Sequence, residues 1–243
     1  MTPQITELRA ILAEARRVVA FTGAGISAES GIPTFRGQGG LWRTCRAEDL
    51  ATTDAFRRDP KLVWEWYDWR RGLIAKAQPN PGHLALAELE QRAPKFTLVT
   101  QNVDGLHDRA GSRNVLKLHG DIWRLRCTGC GQESDDFRTP LPELPPRCNS
   151  CGAMLRPGVV WFGESLPHDV WAKAAEASST ADVFFAIGTS AVVHPAAGLI
   201  GIAHRGGATT VEINPDATPY SDVVRYSIRG GSGEVLPALL LNS

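Results

Sequence analysis

The fold is decided by the stretch Arg17-Val-Val-Ala-Phe-Thr-Gly-Ala-Gly-Ile-Ser27. The apolar run that ends at Phe21 leads into a Gly-rich segment, which predicts a buried strand, a tight turn and the start of a helix. Gly23, Gly25 and Ala28 have the spacing of a dinucleotide fingerprint, in which small residues let the backbone approach a pyrophosphate. A tight turn without any ligand fits the same residues, so this motif alone leaves both interpretations open.

Similar apolar runs recur along the chain and alternate with helical patterns. The runs lie at 96–100, 115–118, 183–187, 209–213 and 224–228, and the helical patterns at 5–15, 84–89, 171–177 and 196–204. This alternation predicts an α/β fold with a parallel sheet covered on both faces. Segments 33–78 and 123–157 do not fit the alternation and predict a smaller inserted lobe, whereas the larger lobe takes residues 1–32, 79–122 and 158–243.

Charge and composition restrict the partners. The 243 residues are 43% hydrophobic, enough for a substantial core with an inserted lobe. Lys plus Arg equals Asp plus Glu at 26 each, so the net charge indicates neither a nucleic-acid nor a membrane partner. The first residues lack the pattern of a signal peptide and no apolar run reaches the length of a membrane span, so we expect a cytoplasmic protein.

Four of the five cysteines form a metal-binding pattern. Two Cys-x-x-Cys pairs, separated by 17 residues, consist of Cys127, Cys130, Cys148 and Cys151. Four thiolates saturate tetrahedral Zn²⁺ and leave no position for water, so we predict one structural zinc per chain. A zinc ribbon that binds nucleic acid is the alternative, which the balanced charge disfavours. Cys45 stands alone, and we expect a small buried side chain there.

Polar residues follow two of the predicted strands. Gln101, Asn102 and Asp104 come directly after the run 96–100, where a parallel sheet presents groups to a ligand crevice. They can bond ribose hydroxyls and a carboxamide, although Asn102 and Asp104 could equally cap the next helix. His119 follows the run 115–118 and is suited to general-base catalysis, because an imidazole titrates near neutrality. No strand ending in an acidic residue follows the Gly-rich turn, as a hydride-transfer enzyme would require; a Gly-rich, ligand-covering loop is predicted there instead.

Six motifs, in order, resemble the signature set of the sirtuin family. They are Gly23-Ala-Gly-Ile-Ser27, Gly31-Ile-Pro-Thr-Phe-Arg36, Thr100-Gln-Asn-Val-Asp104, Leu118-His-Gly120, Phe162-Gly-Glu164 and Gly188-Thr-Ser190. They span nearly the whole chain. The resemblance implies a single catalytic domain, made of a Rossmann-like NAD lobe and a smaller zinc-bearing lobe, that binds acylated lysine side chains of proteins or peptides between the two. Thr34 stands where many sirtuins have Asp, which leaves in doubt any contact that the Asp makes.

The resemblance also implies residue roles. His119 would be the general base, and Gln101 and Asn102 would act beside it in catalysis. The residues implied to surround NAD are Gly23, Ala24, Gly25, Ser27, Phe35, Arg36, Trp42, Gln101, Asn102, Asp104, Gly188, Thr189, Ser190, Asn214, Asp216 and Ser232. Of these, the turns at 188–190 and 214–216 and Ser232 would hold the adenosine end. Val160, Trp161, Phe162 and Gly163 would pair as a strand with the substrate backbone.

In the chemistry that the family uses, the lysine amide oxygen attacks C1′ of the nicotinamide ribose and nicotinamide leaves. His119 would then deprotonate the ribose hydroxyls, so that the 2′ oxygen attacks the imidate carbon and water releases lysine and O-acyl-ADP-ribose. NAD is thus consumed as a co-substrate. A mono-ADP-ribosyltransferase using the same NAD site remains an alternative, whereas a non-catalytic NAD-sensing module would not need His119 beside the ribose.

A Trp-rich helix predicts the acyl group. Val63, Trp66, Tyr67, Arg70 and Ile74 fall on one face at helical spacing, although Arg70 could also lay its stem on this stripe and reach water. Tyr67 and Arg70, together with Ala51 upstream, resemble the acyl pocket of class III sirtuins. The resemblance implies removal of succinyl and malonyl groups and, more weakly, of acetyl groups. A guanidinium binds a carboxylate bidentately, and a tyrosine hydroxyl can add a third bond. Protein targets and oligomeric state stay open, and a monomer is compatible with the sequence.

Overall fold

The computed structural model describes residues 3–34 and 47–240. Phe35, Arg36, Trp42 and Cys45, for which the sequence predicted roles or burial, therefore lie outside the described residues, as does most of the predicted ligand-covering loop. No helix in the described ranges is long and apolar enough to cross a membrane. The cytoplasmic location stays a prediction.

Strands and helices alternate through most of the described chain. The strands are β1 (Arg17–Thr22), β2 (Lys95–Thr100), β3 (Val115–Lys117), β4 (Gly120–Cys127), β5 (Glu133–Asp135), β6 (Leu155–Val159), β7 (Val183–Ile187), β8 (Thr209–Ile213) and β9 (Tyr226–Ile228). The helices are α1 (Pro3–Glu14), α2 (Gly25–Ala28), α3 (Ala47–Leu50), α4 (Thr53–Arg58), α5 (Pro60–Lys76), α6 (Pro81–Arg92), α7 (Leu106–Arg109), α8 (His168–Ser179), α9 (Gly198–Arg205) and α10 (Ser232–Leu240).

Six strands form one parallel sheet in the order β3-β2-β1-β7-β8-β9. This confirms the predicted α/β fold, and each predicted apolar run overlaps one of these strands. The strand β9 is shorter than the predicted run 224–228, because the N–H of Val224 bonds the carbonyl of Tyr220 in a turn before β9 begins. The strand order reverses between β1 and β7, which is where a ligand crevice opens beyond the carboxyl ends of such a sheet.

Helices cover both faces of this sheet. One face packs against α1, α6 and α10 through residues such as Leu8, Leu86 and Leu236. The other face packs against α8 and α9 through Ala174 and Leu199. Because both faces are covered, β1, β2 and β7 are buried along almost their whole length, which explains their continuous apolar sequence.

A second, antiparallel sheet in the order β5-β4-β6 carries the cysteine pairs and shares a separate core with α4 and α5. Ile122, Val159 and Trp161 also pack into this second core, next to the predicted lobe boundaries; the boundaries themselves stay a prediction. A capped start fixes α5, since the side chain of Asp59 accepts the N–H of Leu62 at 2.9 Å.

The buried side of α5 includes two residues outside the stripe that the sequence indicated. Trp66 is only partly buried, whereas Trp64 is fully buried and donates its indole N–H to the carbonyl of Leu155 at 2.8 Å. Arg71, which the sequence analysis did not single out, is buried as completely as Trp64. The stripe is therefore wider than predicted, because α5 is covered by both the second sheet and the segment around Trp161.

Candidate active site

The glycines of the first turn pack against a second turn. The N–H of Gly23 bonds the carbonyl of Ile187 at 3.0 Å, and that of Gly25 bonds the carbonyl of Gly188 at 2.7 Å. A Cβ at Gly23 would lie 2.8 Å from the oxygen of Gly188, and one at Gly25 would lie 2.7 Å from its Cα. Close backbone packing thus requires both glycines, and it brings two predicted NAD-binding motifs together at the strand reversal.

Residues from three strand ends meet beside this pair of turns. The side-chain amide of Gln101, after β2, donates to Oγ1 of Thr189 at 2.9 Å, and the amide of Asn214, after β8, donates to the carbonyl of Thr189 at 3.2 Å. Ser190 is exposed at the same turn. The crevice edge is therefore lined by amide and hydroxyl groups that suit a ribose or a phosphate.

Two predicted adenosine-end residues have partners within the chain. The carbonyl of Asp216 accepts a bond from Arg229 at 2.6 Å. Ser232 is buried, and its hydroxyl donates to Glu29 at 3.0 Å, at the start of α10. The Ser232 hydroxyl thus ties α10 to α2.

A buried polar network lies beneath the first turn. The hydroxyl of Ser27 donates to Asp104 at 2.8 Å, and the amide of Asn102 donates to the Ser27 hydroxyl and to the Gly23 carbonyl, each at 3.1 Å. Asp104 also accepts the N–H of Leu106, the first residue of α7, at 2.9 Å, although the N-cap of that helix is Gly105. Burial raises the pKa of Asp104, while these bonds lower it.

Two buried histidines that sequence reasoning missed complete this network. Nε2 of His83 lies 3.4 Å from the Ser27 hydroxyl, and Nε2 of His107 lies 3.0 Å from the hydroxyl of Thr22. Their ring centroids are 4.8 Å apart. Burial lowers the pKa of His83 to about 4, so both rings are neutral near pH 7 and act as hydrogen-bonding groups.

His119 lies at the crevice as a neutral imidazole. The ring is partly buried, and its Nδ1 lies 3.0 Å from the carbonyl of Gln101. Because a carbonyl only accepts, Nδ1 must carry the proton, which leaves the lone pair on Nε2. Burial lowers the pKa of His119 below the ordinary 6.5, although the carbonyl opposes that shift. A neutral imidazole with Nε2 unprotonated is the form that a general base requires.

The predicted acyl-pocket residues come together beside this site. Tyr67 is buried, and its Oη accepts the indole N–H of Trp161 at 3.0 Å. Arg70 is buried, with 7% of the residue exposed. Its guanidinium carbon lies 4.8 Å from the Trp66 ring centroid and 5.8 Å from that of Tyr67. The carbonyl of Ala51 accepts the N–H of Phe162 at 3.0 Å, which places Ala51 next to the same segment.

Charge links this pocket to the polar network. Burial lowers the pKa of Arg70, and Tyr67 and Asp104 oppose that shift through their charges. Burial raises the pKa of Tyr67, so its phenol keeps its proton near neutral pH. The neutral phenol of Tyr67 and the guanidinium of Arg70 therefore lie side by side, both largely shielded from water.

The segment predicted to pair with substrate has its first N–H groups engaged within the chain. Val160 donates to the carbonyl of His119 at 2.9 Å, Trp161 to Glu164 at 2.8 Å and Phe162 to Ala51 at 3.0 Å. Pairing of this segment with a substrate backbone would therefore have to use its carbonyl oxygens, or donors from Gly163 onward. The strand-pairing role itself stays a prediction.

Arg156 and Glu164 hold Trp161 in place, and sequence reasoning assigned neither a structural role. Two bonds of 2.6 and 2.9 Å join the guanidinium to the carboxylate, and the guanidinium carbon lies 3.5 Å from the Trp161 ring centroid. Since Trp161 donates to Tyr67, this ion pair also holds one side of the predicted acyl pocket in place.

The four cysteine sulfurs converge as predicted. Their Sγ atoms all lie within 4.8 Å of one another, with 3.4 Å between Cys127 and Cys151 and 3.8 Å between Cys130 and Cys148. A tetrahedron with Zn–S bonds of about 2.3 Å has edges of about 3.8 Å, so the donor set fits one structural zinc. Gly131 and Gly152 follow the second cysteine of each pair with φ of +74° and +73°, the conformation that turns the chain away from the metal.

Comparison with known proteins agrees with this geometry. The model of the Sir2 family matches residues 23–195. A protein of Aquifex aeolicus (strain VF5) named NAD-dependent protein deacylase is 60% identical over 206 residues, which cover 85% of this chain and 86% of the relative.

Solved structures give the same result. A mutant Sir2 homologue in complex with ADP-ribose has a TM-score of 0.94 at 50% identity and covers 98% of this chain and 95% of its own. A Sir2 protein with a p53 peptide and NAD⁺ has a TM-score of 0.88 at 32% identity and covers 99% of this chain and 98% of its own. With the strand-end motifs, the four-cysteine cluster and most of its length accounted for in this way, the chain belongs to the Sir2 family.

Proposed function

We propose that this chain is an NAD-dependent protein-lysine deacylase that removes succinyl and malonyl groups, and acetyl groups more weakly. Membership of the Sir2 family and the deacylase name of its relative support the reaction class. The acyl preference is carried by one observation, which is the buried guanidinium of Arg70 beside the phenol of Tyr67.

NAD would lie across the carboxyl edge of the parallel sheet. The turns at Gly23–Gly25 and Gly188–Ser190 meet there, and Asn214 borders them through its bond to Thr189. When bound, NAD supplies the ribose carbon from which nicotinamide departs and the hydroxyls that take up the acyl group. The residues of this chain bind it, orient it and accept a proton.

His119 would act as the base toward a ribose hydroxyl. Its Nδ1 proton is held by the Gln101 carbonyl, so Nε2 is the nitrogen that can accept a proton. The same hydrogen bond joins His119 to Gln101, whose side chain contacts Thr189. The position of His119 is thus coupled to the crevice. General bases of this type contribute roughly a hundredfold to ten-thousandfold to rate.

Arg70 and Tyr67 would select an acyl group that carries a carboxylate. Tyr67 already accepts the Trp161 indole proton, so its own hydroxyl proton can be donated to an acceptor in the pocket. Aromatic rings flank the guanidinium, and its charge acts strongly because little water reaches it. Succinyl and malonyl groups bring a carboxylate to this pair, whereas an acetyl group has none.

The zinc would stabilise fold and not chemistry. Four thiolates fill its coordination sphere, so it offers no position for water or substrate.

The products of the proposed reaction would be nicotinamide, the free lysine and O-acyl-ADP-ribose, because the acyl group is transferred to ADP-ribose.

The test is incubation of acetyl-, succinyl- and malonyl-lysine peptides of one sequence with the protein, with and without NAD, followed by mass spectrometry. We expect peptide deacylation only with NAD, with one O-acyl-ADP-ribose for each lysine released. ADP-ribose attached to protein without deacylation would instead assign the mono-ADP-ribosyltransferase activity. Deacylation without NAD would refute the proposal, and the unmodified peptide serves as control.

A further inference from the structure

Glu212 is a charged residue in the middle of a buried strand. It lies in β8, where Val211 and Ile213 point into the main core on one face of the sheet. Strand alternation places Glu212 on the other face, and it is only 3% exposed. A buried carboxylate is costly unless it is paired or hydrogen-bonded, so its partners explain its presence.

Four groups donate to this one carboxylate. Oε1 accepts the hydroxyl of Thr218, while Oε2 accepts Ser221 at 2.6 Å, Ser227 at 2.8 Å and the Arg229 guanidinium at 3.0 Å. Burial by itself raises the pKa of Glu212, but the three hydroxyls and Arg229 together hold it below its ordinary value. The carboxylate is therefore ionised at neutral pH and saturated by donors from within the chain.

Thr218 and Ser221 belong to the segment that joins β8 to β9, whereas Ser227 lies in β9 and Arg229 follows it. Arg229 also donates to the carbonyl of Asp216 at 2.6 Å and to the Ser221 hydroxyl at 2.9 Å. The Ser221 hydroxyl in turn accepts the N–H of Thr218 at 2.8 Å. The connection between β8 and β9, together with Arg229, is thus held by hydrogen bonds around the single buried carboxylate of Glu212.

The connection begins at the crevice. Asn214 follows β8 directly, and its amide donates to the Thr189 carbonyl at 3.2 Å, so the turn at 214–216 borders the turn at 188–190. The carboxyl ends of β7 and β8 meet there, and Asn214 is only two residues after Glu212. Any shift of the connection would move Asn214 and Asp216 relative to Thr189.

We propose that Glu212 is a positioning residue for the adenosine end of the NAD site, acting through the 214–229 connection and not by contact with NAD. Both of its oxygens are occupied by donors from the chain, which leaves the binding itself to the turn that it holds. This inference rests on the proposed function, since it assumes that NAD binds at the carboxyl edge of the sheet.

Glu212→Gln in the full chain tests the proposal. Glutamine keeps the shape, but its amide nitrogen cannot accept, so at least one donor loses its partner and Arg229 loses its counter-charge. Binding of NAD would then have to hold the turn at 214–216 in place without this support, at a cost of up to one charged hydrogen bond. We therefore expect the KM for NAD to rise about tenfold to a hundredfold. The affinity for ADP-ribose, measured by calorimetry, should fall equally, while kcat and the KM for the acyl peptide stay unchanged.

Asp182→Asn is the matched control. Asp182 accepts the backbone N–H groups of Arg16 and Arg17 at 2.9 and 2.8 Å and the Arg17 guanidinium at 2.9 Å. It lies before β7, at the amino edge of the same sheet, so its loss should lower stability without changing the KM for NAD. The control separates a general loss of stability from a loss of position at the crevice.

Three outcomes would overturn the proposal: unchanged ADP-ribose affinity in a folded Glu212→Gln protein, equal losses in kcat and both KM values, or the same KM change in Asp182→Asn. If Glu212→Gln does not fold, Ser221→Ala and Arg229→Gln replace it, and an unchanged KM for NAD in both overturns the proposal. Wild-type protein that binds neither NAD nor ADP-ribose would instead refute the proposed function.

Discussion

Arg70→Met should remove the preference for acidic acyl groups. Methionine keeps an unbranched apolar side chain against Trp66 and Tyr67, so the change removes charge and donors more than packing. A carboxylate would lose two guanidinium bonds worth at least about 1.5 kcal/mol each, because Arg70 is buried and such bonds form away from water. About 3 kcal/mol corresponds to a loss of roughly a hundredfold in kcat/KM for succinyl-lysine. Acetyl-lysine, which offers no carboxylate, should be deacylated as before.

The assay compares kcat/KM for succinyl- and acetyl-lysine peptides of one sequence at saturating NAD. Arg71→Met is the matched control from the next position of α5. Arg71 is fully buried, donates to the carbonyls of Asp136 and Arg138, and lies 3.6 Å from the largely buried carboxylate of Asp136. Loss of this buried ion pair should lower the free energy of unfolding by about 3–5 kcal/mol and leave the ratio of activities unchanged. Equal losses on both substrates in Arg70→Met would show that Arg70 supports the fold and does not choose the acyl group.

Three further predictions concern the base, the metal and a buried histidine. His119→Ala should lower kcat/KM about a hundredfold to ten-thousandfold while ADP-ribose still binds in calorimetry, and retention of more than roughly a tenth would exclude it as the base. Because the pKa of His119 is lowered, wild-type kcat/KM should decline only below pH 6.5, and a midpoint above that value would contradict a neutral, buried base. Elemental analysis should find one zinc per chain, and Cys127→Ala should lose both zinc and the fold of the second sheet; a fully active variant would mean that the four cysteines are not ligands. His83 takes up a proton near pH 6.5 when unfolded but only near pH 4 when folded, so acidification through this range should cost up to roughly 3 kcal/mol of stability. Urea unfolding at both ends of the range should show this loss, and His83→Gln should reduce it; a variant with the same slope would mean that other groups are responsible.

The parallel sheet could be predicted from the sequence because its strands are buried on both faces. Runs such as 183–187 are apolar without a break, and few other structures of that length require such a pattern. The four-cysteine cluster was equally accessible, since a metal fixes ligand spacing. Trp64 and Arg71 could not be placed on the buried side of α5 from its sequence, because two partners cover this helix and widen its buried side.

Buried polar residues were the main omission. His83 looked like an ordinary helix residue, and its only signal was the segment Asn80-Pro-Gly-His83, in which Asn80 caps α6 and donates its own N–H to the His83 ring. Glu212 was visible as a charge within an apolar run, and Arg71 as the second of two adjacent arginines. Each is stabilised by partners far away in the chain, so its burial cannot be read from neighbouring residues.

Competition between two peptides measures the preference for acidic acyl groups without separate kinetic constants. Succinyl- and acetyl-lysine peptides of one sequence, mixed at equal concentration with NAD, are consumed at initial rates whose ratio equals the ratio of their kcat/KM values. The two guanidinium bonds of Arg70 predict succinyl consumption roughly a hundredfold faster, and at least about tenfold faster if only one of them forms. Equal rates, or faster consumption of the acetyl peptide, would show that Arg70 and Tyr67 do not select an acidic acyl group.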